Sequence, residues 1–181
     1  MFETVEELLD FWFRPSTRVR WFDGDPELDA VLRDRYGPLH ERAAAGELSG
    51  LEARPGGSLA LCILLDQLPR NAFRGTPRAF ATDALARAVA GRALERGFDR
   101  NLPRDVRLFL YLPFEHSEAI EDQRRGVALF EALGDPDSLH WAIEHLRVIE
   151  RFGRFPHRNA ILGRPSTPEE IEFLKQPDSS F

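Results

Sequence analysis

Four times along the chain, a side chain suited to capping a helix is followed directly by proline: Asp25-Pro26, Thr76-Pro77, Asp135-Pro136 and Thr167-Pro168. The capping oxygen takes up a free backbone N–H, and the proline ring is preset to the φ of the first helical residue, so each pair predicts a helix start. Thr4 with Glu7 and Thr167 with Glu170 also match the capping box, in which two side chains satisfy each other's backbone donors. Gly46, Gly97, Gly134 and Gly153 stand where these helices should close. No strand-like alternation survives between them, so the chain is expected to be all-α.

Apolar spacing supports the caps. Val5, Leu8, Leu9 and Trp12 share a helical face, as do Leu28, Val31, Leu32, Leu39 and Ala43, and Phe80, Ala84, Leu85, Ala88 and Val89. The pattern predicts helices over about 4–13, 26–45, 58–68, 77–97, 103–112, 115–133, 136–153 and 168–175. Gly37-Pro38 is expected to kink the second. Segment 58–68 is apolar nearly all round, which a surface helix cannot be, so it should be the central helix. At 181 residues one domain over 1–181 is expected, with about eight helices in antiparallel hairpins. No exact internal period is present, although Pro69-Arg70-Asn71-Ala72 and Pro156-His157-Arg158-Asn159-Ala160 look alike as turns after helices. The polar tail 176–180 is expected to order only if Phe181 docks.

The formal net charge is −6, which disfavours a general nucleic-acid or anionic-membrane partner, because both need a positive surface. The N-terminus lacks a signal-peptide pattern and no apolar run reaches membrane-spanning length, so a cytoplasmic location is expected. Cys62, the single cysteine, lies in an apolar run and reads as a buried hydrophobe rather than a nucleophile. No metal is expected from spacing, since His116, His140, His145 and His157 lack zinc-motif intervals, and no cofactor is expected because phosphate-loop, dinucleotide and nucleophile-elbow motifs are missing.

Three polar clusters stand out against this background. The first, Asp66-Gln67-Leu68-Pro69-Arg70-Asn71-Ala72-Phe73-Arg74, leaves the most apolar helix. Its polar groups either pair internally or line a pocket. The second, Tyr111 to Glu118, carries His116 and Ser117; a helix over 115–133 would align His116 with Ile120 and Gln123, both facing inward. On that helix Glu118 would lie about 200° from His116, so the two would not form a same-face acid–base pair. The third, Glu150 to Asn159, follows a helix on which His145 faces inward, and holds Arg154, His157, Arg158 and Asn159.

The order LLDQLPRNAFRG, FLYLPFEHSE, IERFGRFPHRNAILGR and STPEE resembles the bacterial family called domain of unknown function 924, over nearly the whole chain. The resemblance implies a tetratricopeptide-like, all-α superhelical fold and carries no established activity. Two positions depart from it: family members commonly carry phenylalanine at Leu68 and methionine at Glu115. If Glu115 shares a cavity with His116, its charge should raise the histidine's pKa and repel an anionic ligand.

Three functions follow as expectations. In the first, the clusters converge on a small anionic molecule held by Asp66, Gln67, Arg70, Asn71, Arg74, Glu118, Arg154, Arg158 and Asn159; His116 or His157 would carry protons and Ser117 would be the nucleophile if there is turnover. In the second, the chain is a module for a protein or peptide partner. In the third, Asp66, Glu118 and Glu150 only neutralise buried arginines. Oligomeric state is left open by the sequence.

Overall fold

In the computed structural model, which describes residues 4–177, 179 and 180, helices begin where the capping side chains stand. Helix α1, Val5–Phe13, opens on the reciprocal Thr4–Glu7 box. Asp25 accepts from the Glu27 and Leu28 N–H groups, and Asp135 from Ser138. Thr76 departs from the expected pattern. Its hydroxyl donates back to the Phe73 carbonyl, Pro77–Phe80 forms only a 3-10 turn, and the helix expected over 77–97 starts at Asp83. Among the described residues there are helices and turns and no strand. None of those helices is long and apolar enough to cross a membrane. Phe181, expected to anchor the tail, lies outside the described residues.

The chain divides into two compact units, one ending at Leu110 and one beginning at Tyr111. The first holds α1, the short α2 (Pro15–Arg18), and two long helices. Helix α3 runs as Pro26–Val31, widens into a π-turn at Leu32–Tyr36 and resumes as Gly37–Ala44; α4 runs as Pro55–Cys62, widens at Ile63–Gln67 and resumes as Leu68–Ala72. Both π-turns lie just ahead of a proline, Pro38 and Pro69. A proline inside a helix lacks the N–H for the ladder and its ring crowds the carbonyl one turn back; a wider turn relieves both problems. The kink expected at Gly37-Pro38 takes this form. Pro69-Arg70-Asn71-Ala72 is therefore helix rather than a turn, and its likeness to the 3-10 turn Pro156–Arg158 is confined to sequence.

Within this unit α4 is the buried helix that its all-round apolarity predicts, with residues 57–69 all buried. It begins at Pro55, earlier than expected, and Gly57 lets it pass Leu51: a Cβ there would stand 2.1 Å from the Leu51 carbonyl oxygen. Phe109 meets Trp12 and Trp21 edge-on, at ring separations of 5.7 and 4.7 Å. Cys62 is fully buried, and burial, followed by the charges of Asp66 and Glu52, pushes its thiol pKa well up. Helix α5, Asp83–Glu95, completes the long helices of the unit.

Helix α6, Arg104–Glu115, extends past the expected end at 112 despite Pro113, and its last turn, Tyr111–Glu115, belongs to the second unit. There α7 is Ile120–Leu133, α8 is Pro136–Phe152 and α9 is Pro168–Phe173. The helix expected from 115 starts at Ile120 instead, because the chain leaves the helical conformation after Glu115 and is still extended at Ala119. His116 thus precedes α7 and does not share its face. Gly134, at φ 72°, closes α7 immediately before the Asp135 cap of α8, so the two helices pack as a hairpin. Val148, Ile149 and Phe155 form a core with Ile120, Phe152 and Phe173.

Candidate functional site

The first polar cluster, in the first unit, is tied together by charge. Arg70 donates to both oxygens of Asp83, at 2.8 and 3.0 Å, and lies 3.2 Å from an Asp66 oxygen. Burial works against the guanidinium's charge, but Asp66 and Asp83 outweigh it and hold its pKa up. The other Asp66 oxygen accepts from Gln67, and Asn71 donates to the Gln67 carbonyl. Arg74 reaches Asp29 through two bonds, at 2.8 and 3.1 Å, and donates to the Asn71 side-chain oxygen.

The second and third clusters lie in the second unit, and their elements meet. Glu115 ends α6 with its side chain buried, and His116 follows half-buried. The buried Gln123 of α7 donates through its amide to the carbonyls of Glu115, at 2.5 Å, and Ser117, at 2.6 Å, and so fixes the backbone on both sides of His116. Ser117 accepts from the Ala119 N–H and donates its proton to Asp122 at 2.7 Å. Gly126 of α7 faces this turn, where a Cβ would make an ordinary contact 3.4 Å from the Glu115 nitrogen.

Opposite this turn stands His145 of α8, buried as its place on the apolar stripe predicts. Its Nδ1 lies 2.8 Å from the Trp141 carbonyl, one helical turn back, and 3.4 Å from Glu115 Oε1. Its ring centre is 6.1 Å from that of His116 and 5.6 Å from that of Phe155. Phe155 in turn carries His157 at 5.7 Å and the Arg158 guanidinium 4.4 Å from its ring centre. Burial pushes the His145 pKa well below the ordinary histidine range, and the charges of His116, Arg158 and His157 act in the same direction against the bond to Trp141. The His145 imidazole is therefore neutral near pH 7. Histidines from α6's end, α8 and the 3-10 turn thus form a chain of ring contacts through the buried His145 and Phe155.

Glu118 of the second cluster and Arg154 and Asn159 of the third are tied into a scaffold by Arg164 and Glu170. Glu118 receives the Phe155 N–H at 2.8 Å and both terminal nitrogens of Arg164, at 2.7 and 2.9 Å. Burial would raise the Glu118 pKa, but Arg164, the Phe155 N–H and Arg158 outweigh it and bring it down. Asn159, fully buried, accepts from Arg164 and donates to Ser166. Arg154 grips Glu170 through two bonds, and Glu170 also closes the capping box on Thr167. Glu150 is exposed on α8.

Of the residues singled out in the sequence, Asp66, Gln67, Arg70, Asn71 and Arg74 are linked in the first unit, while His116, Ser117, Glu118, Arg154, His157, Arg158 and Asn159 are in the second. Sequence reasoning gave Glu118 an arginine partner without saying which, and the structure supplies Arg164; Glu170 as the partner of Arg154 and Gln123 as the holder of the turn that presents His116 were missed. No capping or helix spacing marks these pairings, because Glu118–Arg164 and Arg154–Glu170 join side chains 46 and 16 residues apart and Gln123 reaches backbone carbonyls of the turn before its helix. Chemically the centre combines three imidazoles, a guanidinium and a carboxylate: groups able to bind an anion, move a proton or ligate a metal ion.

Residues 8–178 match the family described as bacterial protein of unknown function (DUF924). The chain is also similar to the solved structure of a protein of unknown function, ATU0120, from Agrobacterium tumefaciens. The two share 46% identity and a TM-score of 0.90, over 94% of this chain and 96% of that one. The search of curated proteins gave no match.

Proposed function

The chain belongs to the bacterial DUF924 family of proteins of unknown function, and we propose that its second unit binds a small anionic molecule at His116, His145, His157 and Arg158. One observation carries the reading: three chain segments bring these cationic or protonatable side chains around His145 and Phe155. Arg158 is the arginine of the original set whose charge reaches His145. A guanidinium beside imidazole donors recognises a carboxylate or phosphate through charge-assisted hydrogen bonds, which strengthen as water is excluded. Glu118, Arg164 and Asn159 hold the turn that carries His157 and Arg158. If the bound molecule reacts, His116 and His157 are the proton carriers, with Ser117 set beside Asp122 as the hydroxyl. A cytoplasmic location and the lack of a nucleic-acid partner belong to the same proposal, on the acidic net charge and the single cysteine.

The reading is tested by thermal shift with phosphate, sulfate and short dicarboxylates. At least one anion should stabilise the wild type in a concentration-dependent way. The shift should shrink in His157→Gln and stay in His140→Gln, which changes an exposed histidine of α8. Equal stabilisation of both variants, or none of the wild type, contradicts it.

A further inference from the structure

We propose that Glu115, His116 and His145 form a binding site for one divalent first-row transition-metal ion. The inference deepens the anion site proposed above by naming what the anion would meet there, and its location rests on that reading. Its geometry stands separately.

Glu115, His116 and His145 each offer one ligand atom, and these atoms all lie within 4.8 Å of one another. Around a tetrahedral ion with bonds near 2.1 Å, ligand atoms lie about 3.4 Å apart, so only small side-chain rotations separate the observed arrangement from a coordinating one. His116 is half-buried and stands in a turn. Two imidazoles and one carboxylate form a donor set used for catalytic zinc and for non-haem iron, with coordination positions left open for a ligand. Magnesium and calcium fit poorly, since both prefer all-oxygen surroundings.

Support behind the donors matches what metal ligands need. Histidines that bind metals usually give their second nitrogen to a carbonyl or carboxylate, which fixes the ring. His145 has that partner in the Trp141 carbonyl at 2.8 Å. With an Nδ1–H donated there, Nε2 is the nitrogen that would meet the ion, while Nδ1 is the one 3.4 Å from Glu115 Oε1. Gln123 holds the peptide groups on either side of His116, which fixes the third donor's backbone.

The cation also resolves a conflict inside the site. A buried carboxylate at Glu115 repels an incoming anion, whereas a divalent ion bound to that carboxylate attracts it. The anion would then bridge the ion's open position and Arg158. Spacing rules could not reveal this set, because His145 lies on a different helix from the adjacent pair Glu115 and His116.

The test is titration of the chelator-treated full chain with Co²⁺, followed by visible absorption, and with Zn²⁺ in competition. One ion should bind per chain, with ligand-field bands that Zn²⁺ abolishes. Affinity should drop about tenfold or more in His116→Ala and in Glu115→Met, and remain in His140→Ala. Methionine is the residue that the family resemblance places at 115, so Glu115→Met should fold, as its circular dichroism will show. Failure of the wild type to bind either ion, or unchanged affinity in both site variants, overturns the metal site. Repeating the anion thermal shift with chelator present separates the two proposals. Loss of the shift supports the metal-bridged anion, while a shift that persists overturns the bridge and leaves the anion site standing alone.

Discussion

His145 Nδ1 lies 3.4 Å from Glu115 Oε1, with both side chains buried. Around this pair, burial and the charges of His116, Arg158 and His157 all act against a protonated His145, so the imidazole stays neutral beside the carboxylate. The pair joins the end of α6 to the middle of α8, and the turn at 115–117 is held in place by Gln123. The buried Glu115–His145 pair lies at the centre of the proposed site.

Glu118 is the anchor of the loop that carries His157 and Arg158. Glu118→Gln keeps the shape of the side chain but removes the charge that meets Arg164 and the Phe155 N–H. The expected loss is roughly 1.5 to 3 kcal/mol of unfolding free energy, in the range for hydrogen bonds to charged groups. Arg164→Met should cost a comparable amount, and the double variant should cost less than the sum. Urea unfolding of all four proteins measures this coupling.

Arg70 is expected to behave as a structural residue of the first unit. Arg70→Met removes the guanidinium from between Asp66 and Asp83, and losing one member of such a buried set costs about 3 to 5 kcal/mol. Anions that stabilise the wild type should stabilise this variant by the same increment, since they bind in the second unit. An increment that vanishes in Arg70→Met would place Arg70 in the binding site.

Two glycines in helices of the first unit should respond oppositely to alanine. At Gly57 the added Cβ would stand 2.1 Å from a backbone oxygen of Leu51, so α4 or the preceding turn must shift, at a cost of about 1 to 3 kcal/mol or more. At Gly91, in the interior of α5, a Cβ meets nothing within 4 Å, and alanine should add about 0.5 to 1 kcal/mol. Chemical denaturation of the two variants checks the sign of each.

Acid should weaken the Arg154–Glu170 clamp in a defined window. Hydrogen bonds from Arg154 hold the Glu170 pKa down to about 2, against 4.5 in the unfolded chain. The folded state therefore binds the proton less readily. Its contribution is complete above the unfolded value and disappears as pH falls toward about 2. Between pH 5 and pH 2 the wild type should lose more stability than Glu170→Gln, and above pH 6 the difference between them should be flat.

What could be read from sequence was what neighbouring residues decide. Thr4 with Glu7, Asp25, Asp135, and Thr167 with Glu170 all cap helices as their spacing predicts, because a cap involves residues two or three apart. Burial of α4 followed from apolarity on every face. Thr76 failed as a start because its side chain closes the preceding turn, a choice that spacing does not distinguish. The second polar cluster stands at the junction of two helices as expected, but α7 begins at Ile120 rather than 115, and Ser117 binds the Ala119 N–H and Asp122 while His116 stays in a turn. Members of the candidate site were legible one by one as polar residues near aromatic ones. Their association was not, since His145 meets Glu115 and Glu118 meets Arg164 only through the packing of separate helices and turns.

The proposed site makes the histidines of the second unit the receptors of an anion. The chain has five histidines, His40, His116, His140, His145 and His157, and their imidazole signals in a ¹⁵N–¹H spectrum can be followed during anion titration. His40, buried against the Leu64 carbonyl, and the exposed His140 serve as internal references. The prediction is saturable shifts at His116, His145 and His157 with one shared dissociation constant, while His40 and His140 stay in place. Shifts confined to the reference histidines, or no saturable change at any of the five, would contradict it.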